Sequence, residues 1–466
     1  MNHIPSNHDL LKTINELEDH IKPSSMRING YNIWPLIRIS ICFGLISERY
    51  QSKSFYQNKK QSIGIIKAFL NYLSYHSNNK NMSIGVLNVT HDVYQNTING
   101  SVFDRVHYGN ESKKINNNEV TRLNLADFSI RDVNNNKKRL DFFNLVRLIK
   151  MISIPCTIFI VIRNYKTFRS FFSIYKFLKA KNLNTLLILV KLPFKISYAF
   201  LLSTYVAKFF RRCNITALHH SNFYSLDSMA LTLGARRCDI PVINIQHGVQ
   251  AKNHPAFGRW KNIPPSGYKL LPSEFICWNQ QSVNTLEKSF KFCENHKSTL
   301  SQYHWVNGWK NEKIPFDYKE IKSKALNKFN ILVTLQPSIN GIQDIIRDSI
   351  NETSDEVRWW IRLHPRQQTD IAKKEIKDMI IDSYKKDVID LASSTPLPAL
   401  LSITDLHITG FSSSIYEASY FNIPTVLTHK MAKDYYGKDL EILKASICET
   451  KDGIIESIKN GINNKF

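Results

Sequence analysis

The chain has 466 residues, with 62 Lys and Arg against 39 Asp and Glu, and so a formal net charge of +23. Apolar residues make up 43% and aromatic residues 11%, a globular composition that excludes a mainly disordered chain. The length predicts two domains or three. The seven cysteines are scattered and form no C-x-x-C, which argues against a structural zinc site and a secreted disulfide framework. We therefore expect reduced thiols and a cytoplasmic protein.

The first 80 residues are predicted to be helical. We expect no export signal, because the N-terminus is polar, mixed in charge and lacks an apolar core. The longest uncharged apolar runs of the chain are Met151–Ile162, which Pro155 is expected to break, and Ile196–Ala207. Each has 12 residues, whereas a membrane-spanning helix needs about 20. These lengths predict a soluble or peripheral protein.

Residues 137–212 form a basic block with 16 Lys and Arg and one acid, Asp141, so this block carries +15 of the net charge. Basic and apolar residues interleave at helical spacing, as at Arg163, Lys166 and Arg169. This pattern favours amphipathic helices that dock on an anionic membrane surface. A core helix with a solvated basic face is the alternative. Nucleic acid is not the expected partner, because no zinc-finger, RNP-like or basic-zipper pattern accompanies the charge.

Strands and helices alternate in two series. In the first, strands are predicted at 83–90, 215–218, 241–245 and 275–278, and a helix begins near Ser225. After a Lys-rich linker at 313–328, strands are predicted at 330–335, 358–363, 405–409 and 424–428, and helices at 341–350, 398–402, 413–420 and 452–460. The alternation indicates an α/β protein with two Rossmann-like domains, 1–312 and 329–466. Ligands are then expected at the carboxyl ends of the two parallel sheets, facing a central cleft.

The sharpest motif is the segment TGFSSS, where a strand ends, a glycine turns and Ser412, Ser413 and Ser414 open a helix. Backbone N–H groups at a helix start and serine hydroxyls can bind a phosphate. Glu417, one turn later, is placed to accept hydrogen bonds from ribose hydroxyls. A plain helix cap, with Glu417 closing an approximate capping box, is the alternative. The three serines in series favour phosphate.

The segment RLHPR ends another predicted strand of the same domain. Arg362, His364 and Arg366 suit an anionic phosphate or diphosphate at the carboxyl end of that strand. The alternative is a capped strand end with exposed cations. Pro365 stops the strand in either case.

In the first domain, Gln246-His247-Gly248 ends a predicted strand. Histidine suits general acid–base chemistry near neutral pH, so His247 is a catalytic candidate beside a purely structural role. Other candidates lie at or near the ends of neighbouring strands or in the following loops: Asp92 as a second possible base, and His219, His220, Gln246, Asp104 and Arg105 as weaker substrate contacts. The sequence contains no D-x-D, G-x-G-x-x-G, P-loop or G-x-S-x-G motif, so we expect metal-independent chemistry without a cofactor.

The order of these motifs resembles the GT-B glycosyltransferases of bacterial surface polysaccharide synthesis. It is most similar to capsule-type Kdo transferases and to bacterial sialyltransferases with an HP motif and a serine-rich motif, over roughly 215–430. By that resemblance His364 and the three serines hold the phosphate of a nucleotide sugar, and Glu417 holds the ribose. The base would come from the first domain, where His247 or Asp92 fits the role.

The resemblance implies a glycosyltransferase at the inner face of the plasma membrane, acting in capsule or lipopolysaccharide synthesis. It would move a sugar, such as a CMP-activated nonulosonic acid or Kdo, from a nucleotide donor to a lipid-linked acceptor or a growing polysaccharide. The domain at 329–466 would bind the donor and the domain at 1–312 the acceptor. The basic block would dock on the membrane.

Three alternatives stay open. The same motif order also resembles the CDP-glycerol glycerophosphotransferases, in which His247 would again be the catalytic candidate and the attack would fall on phosphorus. A sugar-nucleotide epimerase can share the fold but needs no basic membrane-binding block. A non-enzymatic membrane- or polysaccharide-binding protein would lack nucleotide affinity.

Overall fold

The computed structural model describes residues 6–49, 85–90, 94–109, 120–124, 139–336, 342–364, 367, 370–380 and 388–465. These residues divide into two compact units, the first ending at Gln302 and the second beginning at Tyr303. Each unit has its own parallel sheet with helices, so the predicted class of two Rossmann-like α/β domains is confirmed. The predicted linker at 313–328 contains a helix, Lys319–Ala325, which belongs to the second unit.

The helices of the first unit are α1 (Asn7–Ile21), α2 (Trp34–Arg49), α3 (Phe143–Arg163), α4 (Tyr165–Ala180), α5 (Leu186–Arg212), α6 (Leu226–Arg236) and α7 (Gln280–Phe290). Its strands are β1 (Arg27–Ile28), β2 (Tyr31–Asn32), β3 (Val86–Thr90), β4 (Gln95–Ile98), β5 (Ser101–Asp104), β6 (Val120–Asn124), β7 (Arg139–Asp141), β8 (Ala217–His220), β9 (Val242–Ile245), β10 (Glu274–Cys277) and β11 (Lys297–Leu300).

Seven of these strands form one parallel sheet in the order β11-β10-β9-β8-β3-β6-β7. The pairs β1–β2 and β4–β5 are antiparallel ribbons. Strand β3 is buried along its whole length, and β8 and β9 are buried at most positions, which is expected of central strands that helices cover on both faces. Helix α6 begins as predicted, with the Ser225 side chain accepting a hydrogen bond from the Ser228 amide.

The basic block folds into α3, α4 and α5. The expectation that Pro155 breaks the apolar run is wrong, because α3 continues through it. Hydroxyl groups bind backbone carbonyls around the proline: Ser153 Oγ donates to the Ile149 carbonyl at 2.6 Å, and Thr157 Oγ1 donates to the Ser153 carbonyl at 2.7 Å. By length and composition, two helices of the described chain could cross a membrane, Leu145–Arg163 and Leu186–Arg212, with 22% and 56% of their apolar windows buried.

The helices of the second unit are α8 (His304–Lys310), α9 (Lys319–Ala325), α10 (Asp344–Glu352), α11 (Asp370–Asp378), α12 (Ile389–Ser394), α13 (Leu397–Leu401), α14 (Ser414–Tyr420), α15 (Met431–Tyr436) and α16 (Lys451–Lys465). Its strands are β12 (Phe329–Thr334), β13 (Val357–Arg362), β14 (Leu406–Thr409), β15 (Thr425–Leu427) and β16 (Ala445–Ile447). They form a parallel sheet in the order β13-β12-β14-β15-β16 around an aliphatic core.

The predicted strands and helices of both series are present within a few residues of their expected bounds. The helical prediction for the first 80 residues is confirmed for α1 and α2, whereas the ribbon between them was not predicted. Residues 50–84 lie outside the described part of the chain. The sequence also missed the β4–β5 ribbon and the outer strands β6, β7, β11 and β16, most of which are short and polar.

Candidate functional site

The carboxyl ends of β3, β8 and β9 lie side by side in the sheet of the first unit. Asn88 of β3 pairs in register with His219 of β8, and His220 of β8 pairs with Asn244 of β9. Because side chains alternate along a strand, Asn88 and His219 lie on one face of the sheet, and His220 and Asn244 on the other. All four are buried. Two amides and two imidazoles therefore occupy positions where an α/β sheet offers its ligand site.

Several of these buried groups have no hydrogen-bond partner within the described part of the chain. They include both polar side-chain atoms of Asn88 and of Asn244, and Nδ1 of His219. The loops after β8 and β9 add three more such atoms: Ser221 Oγ, Asn222 Oδ1 and Gln250 Nε2. A buried polar group left unpaired costs about 1–3 kcal/mol, and native proteins keep few of them. A polar ligand bound at this sheet edge would form hydrogen bonds with these groups and so offset the cost of burying them.

A buried contact between an aspartate and a histidine lies close to this group. Asp104 Oδ2 is 3.1 Å from His107 Nδ1, and Asp104 Oδ1 accepts hydrogen bonds from the amides of Val106 and His107 at 3.0 and 3.2 Å. Burial works to raise the pKa of Asp104, but the interactions with His107 and Val106 outweigh it, and the pKa is lowered. Burial, and then the charge of His107, lower the pKa of His219 to about 3. At neutral pH an ionised Asp104 thus accompanies a neutral His219.

His247 follows β9 and is half-buried between two tyrosines. Its Nε2 lies 3.3 Å from the Tyr224 hydroxyl, and its ring centroid is 5.3 Å from that of Tyr94 and 6.1 Å from that of Tyr224. These contacts fix the orientation of the imidazole. A neutral imidazole held in this way can accept a proton from a substrate hydroxyl.

Gln246 is buried and holds the turn that carries His247. Its Oε1 accepts a hydrogen bond from the Trp278 amide at 2.7 Å. Its Nε2 donates to the Gly248 carbonyl at 2.9 Å and to Ser282 Oγ at 3.1 Å. These bonds favour a structural role for Gln246, and a substrate contact from it stays a prediction.

Two further candidates of the first unit also have neighbours within the protein. His220 Nε2 lies 3.1 Å from Thr232 Oγ1 on α6. The Arg105 guanidinium lies over the Tyr94 ring, 5.1 Å from its centroid, and the same ring packs on His247. The first contact favours a packing role for His220, while the second keeps Arg105 near the candidate base.

In the second unit, Gln336 connects the RLHPR segment, which carries His364, with the TGFSSS segment through hydrogen bonds. Its Oε1 accepts a hydrogen bond from the Phe411 amide at 2.7 Å, and its carbonyl accepts one from Gln367 Nε2 at 3.3 Å. Gln367 closes the turn at His364, whose carbonyl accepts from the Gln367 amide at 2.7 Å. His364 is half-buried at this edge. The structure thus brings the segments of His364 and Ser412 to the same edge of the sheet.

Tyr436 fixes the loop that carries Ser412, because its hydroxyl lies 3.0 and 2.6 Å from the carbonyls of Phe411 and Ser412 and donates to them. Ser412 Oγ accepts from the Ser414 amide at 3.3 Å, and the side chains of Ser412 and Ser413 are half-buried. These two serines are therefore the members of the motif that a ligand could reach.

Ser414 is buried in a hydrogen-bond network that closes on itself. Its Oγ lies 2.9 Å from Thr334 Oγ1 and 3.3 Å from His407 Nε2, and His407 Nδ1 lies 3.1 Å from Thr425 Oγ1. Burial lowers the pKa of His407 to about 3, so the network contains a neutral imidazole. It attaches α14 to the sheet and favours a structural role for the Ser414 hydroxyl.

Glu417 and Arg362 also engage protein groups. Glu417 is 5% exposed, and its Oε1 accepts a hydrogen bond from the Tyr303 hydroxyl at 3.0 Å. Arg362 Nη1 donates to the carbonyl of Ala392, at 2.5 Å, and to that of Thr395, near the end of α12. Both contacts favour structural roles, and the predicted ribose and phosphate contacts of these residues stay predictions.

Asp92 and Arg366 lie outside the described residues. Within the described part of the chain, no three His, Cys, Asp or Glu side chains gather as a metal site. Sequence reasoning missed Asn88, Asn244 and Tyr224. A signal for the two asparagines was present, because each interrupts an otherwise apolar strand of a sheet covered on both faces. Tyr224 carries no such signal.

No protein-family model and no curated protein matches the sequence. Among solved structures, S. aureus MnaA with UDP is similar at 12% identity and a TM-score of 0.46, over 82% of this chain and 88% of that one. The UDP-GlcNAc 2-epimerase of Methanocaldococcus jannaschii is similar at 13% identity and 0.46, over 82% and 94%. The wall teichoic acid polymerase TagF is similar at 13% and 0.43, over 85% and 87%. These similarities identify neither a substrate nor a reaction for this chain.

Proposed function

We propose that this chain is an enzyme of nucleotide-activated sugars, a glycosyltransferase that moves the sugar to a lipid-linked acceptor or a growing surface polysaccharide. The observation that carries the proposal is the pair Asn88 and His219, which share one face of the first sheet and are buried with polar atoms that have no hydrogen-bond partner among the described residues. Asn244 adds two such atoms on the opposite face. Amide side chains both donate and accept hydrogen bonds, as sugar hydroxyls do. A site with the neutral amide of Asn88 beside the neutral imidazole of His219 suits a polyhydroxylated acceptor.

His247 is the proposed general base. An acceptor hydroxyl gives its proton to the imidazole while its oxygen forms a bond to the anomeric carbon of the donor. The bond from that carbon to the nucleotide phosphate breaks, and its electron pair leaves on the phosphate oxygen. The Tyr224 hydroxyl near Nε2 and the flanking Tyr94 ring support this role, because they hold the imidazole in one orientation.

The donor phosphate is proposed to lie at Ser412, Ser413 and His364 in the second unit. Support comes from the half-buried side chains of these residues and from Gln336 and Tyr436, which fix the two segments that carry them. Preorganised donors of this kind stabilise negative charge that develops on a leaving phosphate.

We further propose that the basic block docks on the anionic inner face of the plasma membrane. Eleven of the 17 exposed large hydrophobic side chains of the described residues lie between Met151 and Val190. On α3 they include Ile158 and Phe159, exposed to 63% and 73%. Lys and Arg residues interleave with them, which combines apolar insertion with attraction to anionic headgroups.

A nucleotide panel tests the enzyme proposal: thermal unfolding of the intact chain with CMP, CDP, UDP, GDP and dTDP and their sugar forms, with and without Mg²⁺. A ligand that binds only the folded state raises the melting temperature. Stabilisation by CMP without metal supports transfer of a sialic-acid- or Kdo-like sugar, and stabilisation by UDP, GDP or dTDP supports a hexose donor. A selective response to CDP would move the proposal to glycerophosphate transfer. No response to any of them would contradict it.

Vesicle sedimentation tests the membrane proposal. We expect the chain to bind vesicles with anionic phosphatidylglycerol more tightly than neutral ones, and the double variant Ile158→Ser, Phe159→Ser to weaken that binding. The variant Phe292→Ser, which removes an exposed apolar side chain outside the block, is the matched control. Alkaline carbonate should release the protein from membranes. Retention after carbonate would instead mean that α3 or α5 spans the bilayer.

A further inference from the structure

A groove of about 530 Å³ opens in the first unit between α2, α5 and the loop before α6. Its walls are mostly apolar, with Leu36, Ile39 and Phe43 from α2 and Leu187 and Ile188 from α5. The apolar lining continues outward along α5, because Leu187 is 69% exposed and Val190, one turn further on the same helix, is 66% exposed. An apolar chain lying in this groove would thus be continuous with the proposed membrane face.

Two lysines of α5 give the groove a positive charge. Lys191 is exposed, and Lys195 is half-buried with its Nζ 3.2 Å from Ser40 Oγ on α2. Burial, and then the charge of Lys191, lower the pKa of Lys195. Within the described part of the chain, no carboxylate forms an ion pair with either ammonium group. Two neighbouring cations without a counter-charge form a site for an anion such as a phosphate.

One end of the groove reaches the candidate base. Tyr224 and Asn222 line this end, and the Tyr224 hydroxyl lies 3.3 Å from His247 Nε2. Phe43 stacks on Tyr224 with ring centroids 5.2 Å apart and an interplanar angle of 13°. A ligand in the groove would therefore contact the residue that orients His247.

We propose that this groove binds a membrane lipid that ends in a phosphate, with the apolar chain along α2 and α5 and the phosphate at Lys191 and Lys195. The proposal rests on the proposed function, since it names the class of acceptor: an amphiphile with one long chain and a phosphate-bearing head. We choose this ligand because its phosphate is complementary in charge to the two lysines. A free phosphate leaves the apolar walls uncovered, and an uncharged lipid leaves the two ammonium groups without a counter-charge among the described residues.

The experiment measures binding of three probes to the full chain by calorimetry: oleoyl lysophosphatidate below its micelle concentration, oleyl alcohol and inorganic phosphate. We expect lysophosphatidate to bind at least tenfold more tightly than either other probe. The double variant Lys191→Met, Lys195→Met should lose tenfold or more of this affinity. Lys208→Met, an exposed lysine of the same helix, is the matched control and should leave it unchanged.

Equal affinity of the double variant and the unmodified chain for lysophosphatidate would overturn the proposal, as would equal affinity for lysophosphatidate and oleyl alcohol. The variant Phe159→Ser distinguishes lipid binding in the groove from docking of the membrane face, because it should weaken vesicle binding and leave lysophosphatidate affinity unchanged. The nucleotide panel is run on the same double variant. A nucleotide response that persists without lysophosphatidate binding rejects the groove alone, whereas lysophosphatidate binding without any nucleotide response rejects the enzyme proposal alone.

Discussion

The two parallel sheets place similar polar residues near their carboxyl ends, yet the surroundings of these residues differ. In the second unit His407 is bonded at both ring nitrogens, to Thr334 and Ser414 on one side and to Thr425 on the other. In the first unit Asn88 and Asn244 are as deeply buried, but their side chains have no hydrogen-bond partner among the described residues. Among the described residues, the hydrogen bonds of the first arrangement are complete, and those of the second are not.

This difference shows what distinguishes a structural polar cluster from a candidate binding site. Position within a strand of a parallel sheet is common to both, and so is a neutral buried imidazole, since burial lowers the pKa of both His219 and His407 to about 3. What differs is whether the polar groups satisfy one another. Unpaired groups lower stability in the free protein and can recover that free energy when a ligand binds.

The largest expected effect is on catalysis in the first unit. Replacing His247 by Gln removes the proposed base, and we expect nucleotide release from the cognate sugar donor to slow by about 10²–10⁴-fold. The measurement is turnover with acceptor present, together with the melting temperature. Tyr224→Phe is the control, because it keeps the ring and removes only the hydroxyl, and its loss should be much smaller. Full activity of His247→Gln would contradict this role and mean that another residue is the general base.

The next effect is on stability in the second unit. His407→Leu leaves the hydroxyls of Thr334, Ser414 and Thr425 without their shared partner, and we expect the free energy of unfolding to fall by about 2–4 kcal/mol. Urea denaturation measures this loss. Ser402→Ala, at an exposed serine whose hydroxyl donates to the Ala399 carbonyl in its own helix turn, is the control. A loss below about 0.5 kcal/mol would mean that the network is not structural.

A smaller effect per residue concerns pH and should come from three histidines of the first unit and one of the second. Burial lowers the pKa of His219, His254 and His407 to about 3 and that of His296 to about 4. Because the unfolded chain binds protons at higher pH than the folded one, stability is complete above pH 6.5 and falls as the pH drops toward 4. Each histidine should cost about 1 kcal/mol between pH 7 and 5.5. Denaturation midpoints that do not change over this range would contradict neutral buried imidazoles.

The smallest effects separate the serines. Ser414→Ala should lower the free energy of unfolding by about 1–2 kcal/mol, because its partners lose a hydrogen bond. Ser412→Ala should change stability by less than about 0.5 kcal/mol and weaken nucleotide binding several-fold. Thermal unfolding measures the stability of the two variants, and calorimetry measures their affinity for the nucleotide. The reverse pattern would place the ligand at Ser414.

Much of the fold could be predicted from the sequence, because buried β-branched strands bounded by turns carry a strong local pattern. The strands 241–245 and 405–409 are examples, and both are present. The ribbon β4–β5 has no such apolar pattern and was missed. The expectation for Pro155 was wrong, because α3 continues through it, and one proline removes only one backbone hydrogen bond of a 21-residue helix.

The candidate site was predicted less well. The serine motif looked like the best phosphate site, yet the Ser414 hydroxyl bonds Thr334, 80 residues earlier, and no local pattern reveals such a partner. His219 was a weak candidate and lies in the group that remains unpaired. Hydrogen-bond completeness depends on contacts distant in the sequence, so it can be read only from the structure.

The most direct test of the central claim is the unfolding free energy of Asn88→Leu and Asn244→Leu in the ligand-free chain, measured by urea denaturation. Replacing an unpaired buried amide by an apolar side chain of similar shape should leave stability unchanged or raise it, and should abolish stabilisation by the acceptor. A loss of about 2 kcal/mol or more, like that expected for His407→Leu, would contradict the account, because it would show that the two asparagines already have partners in the protein.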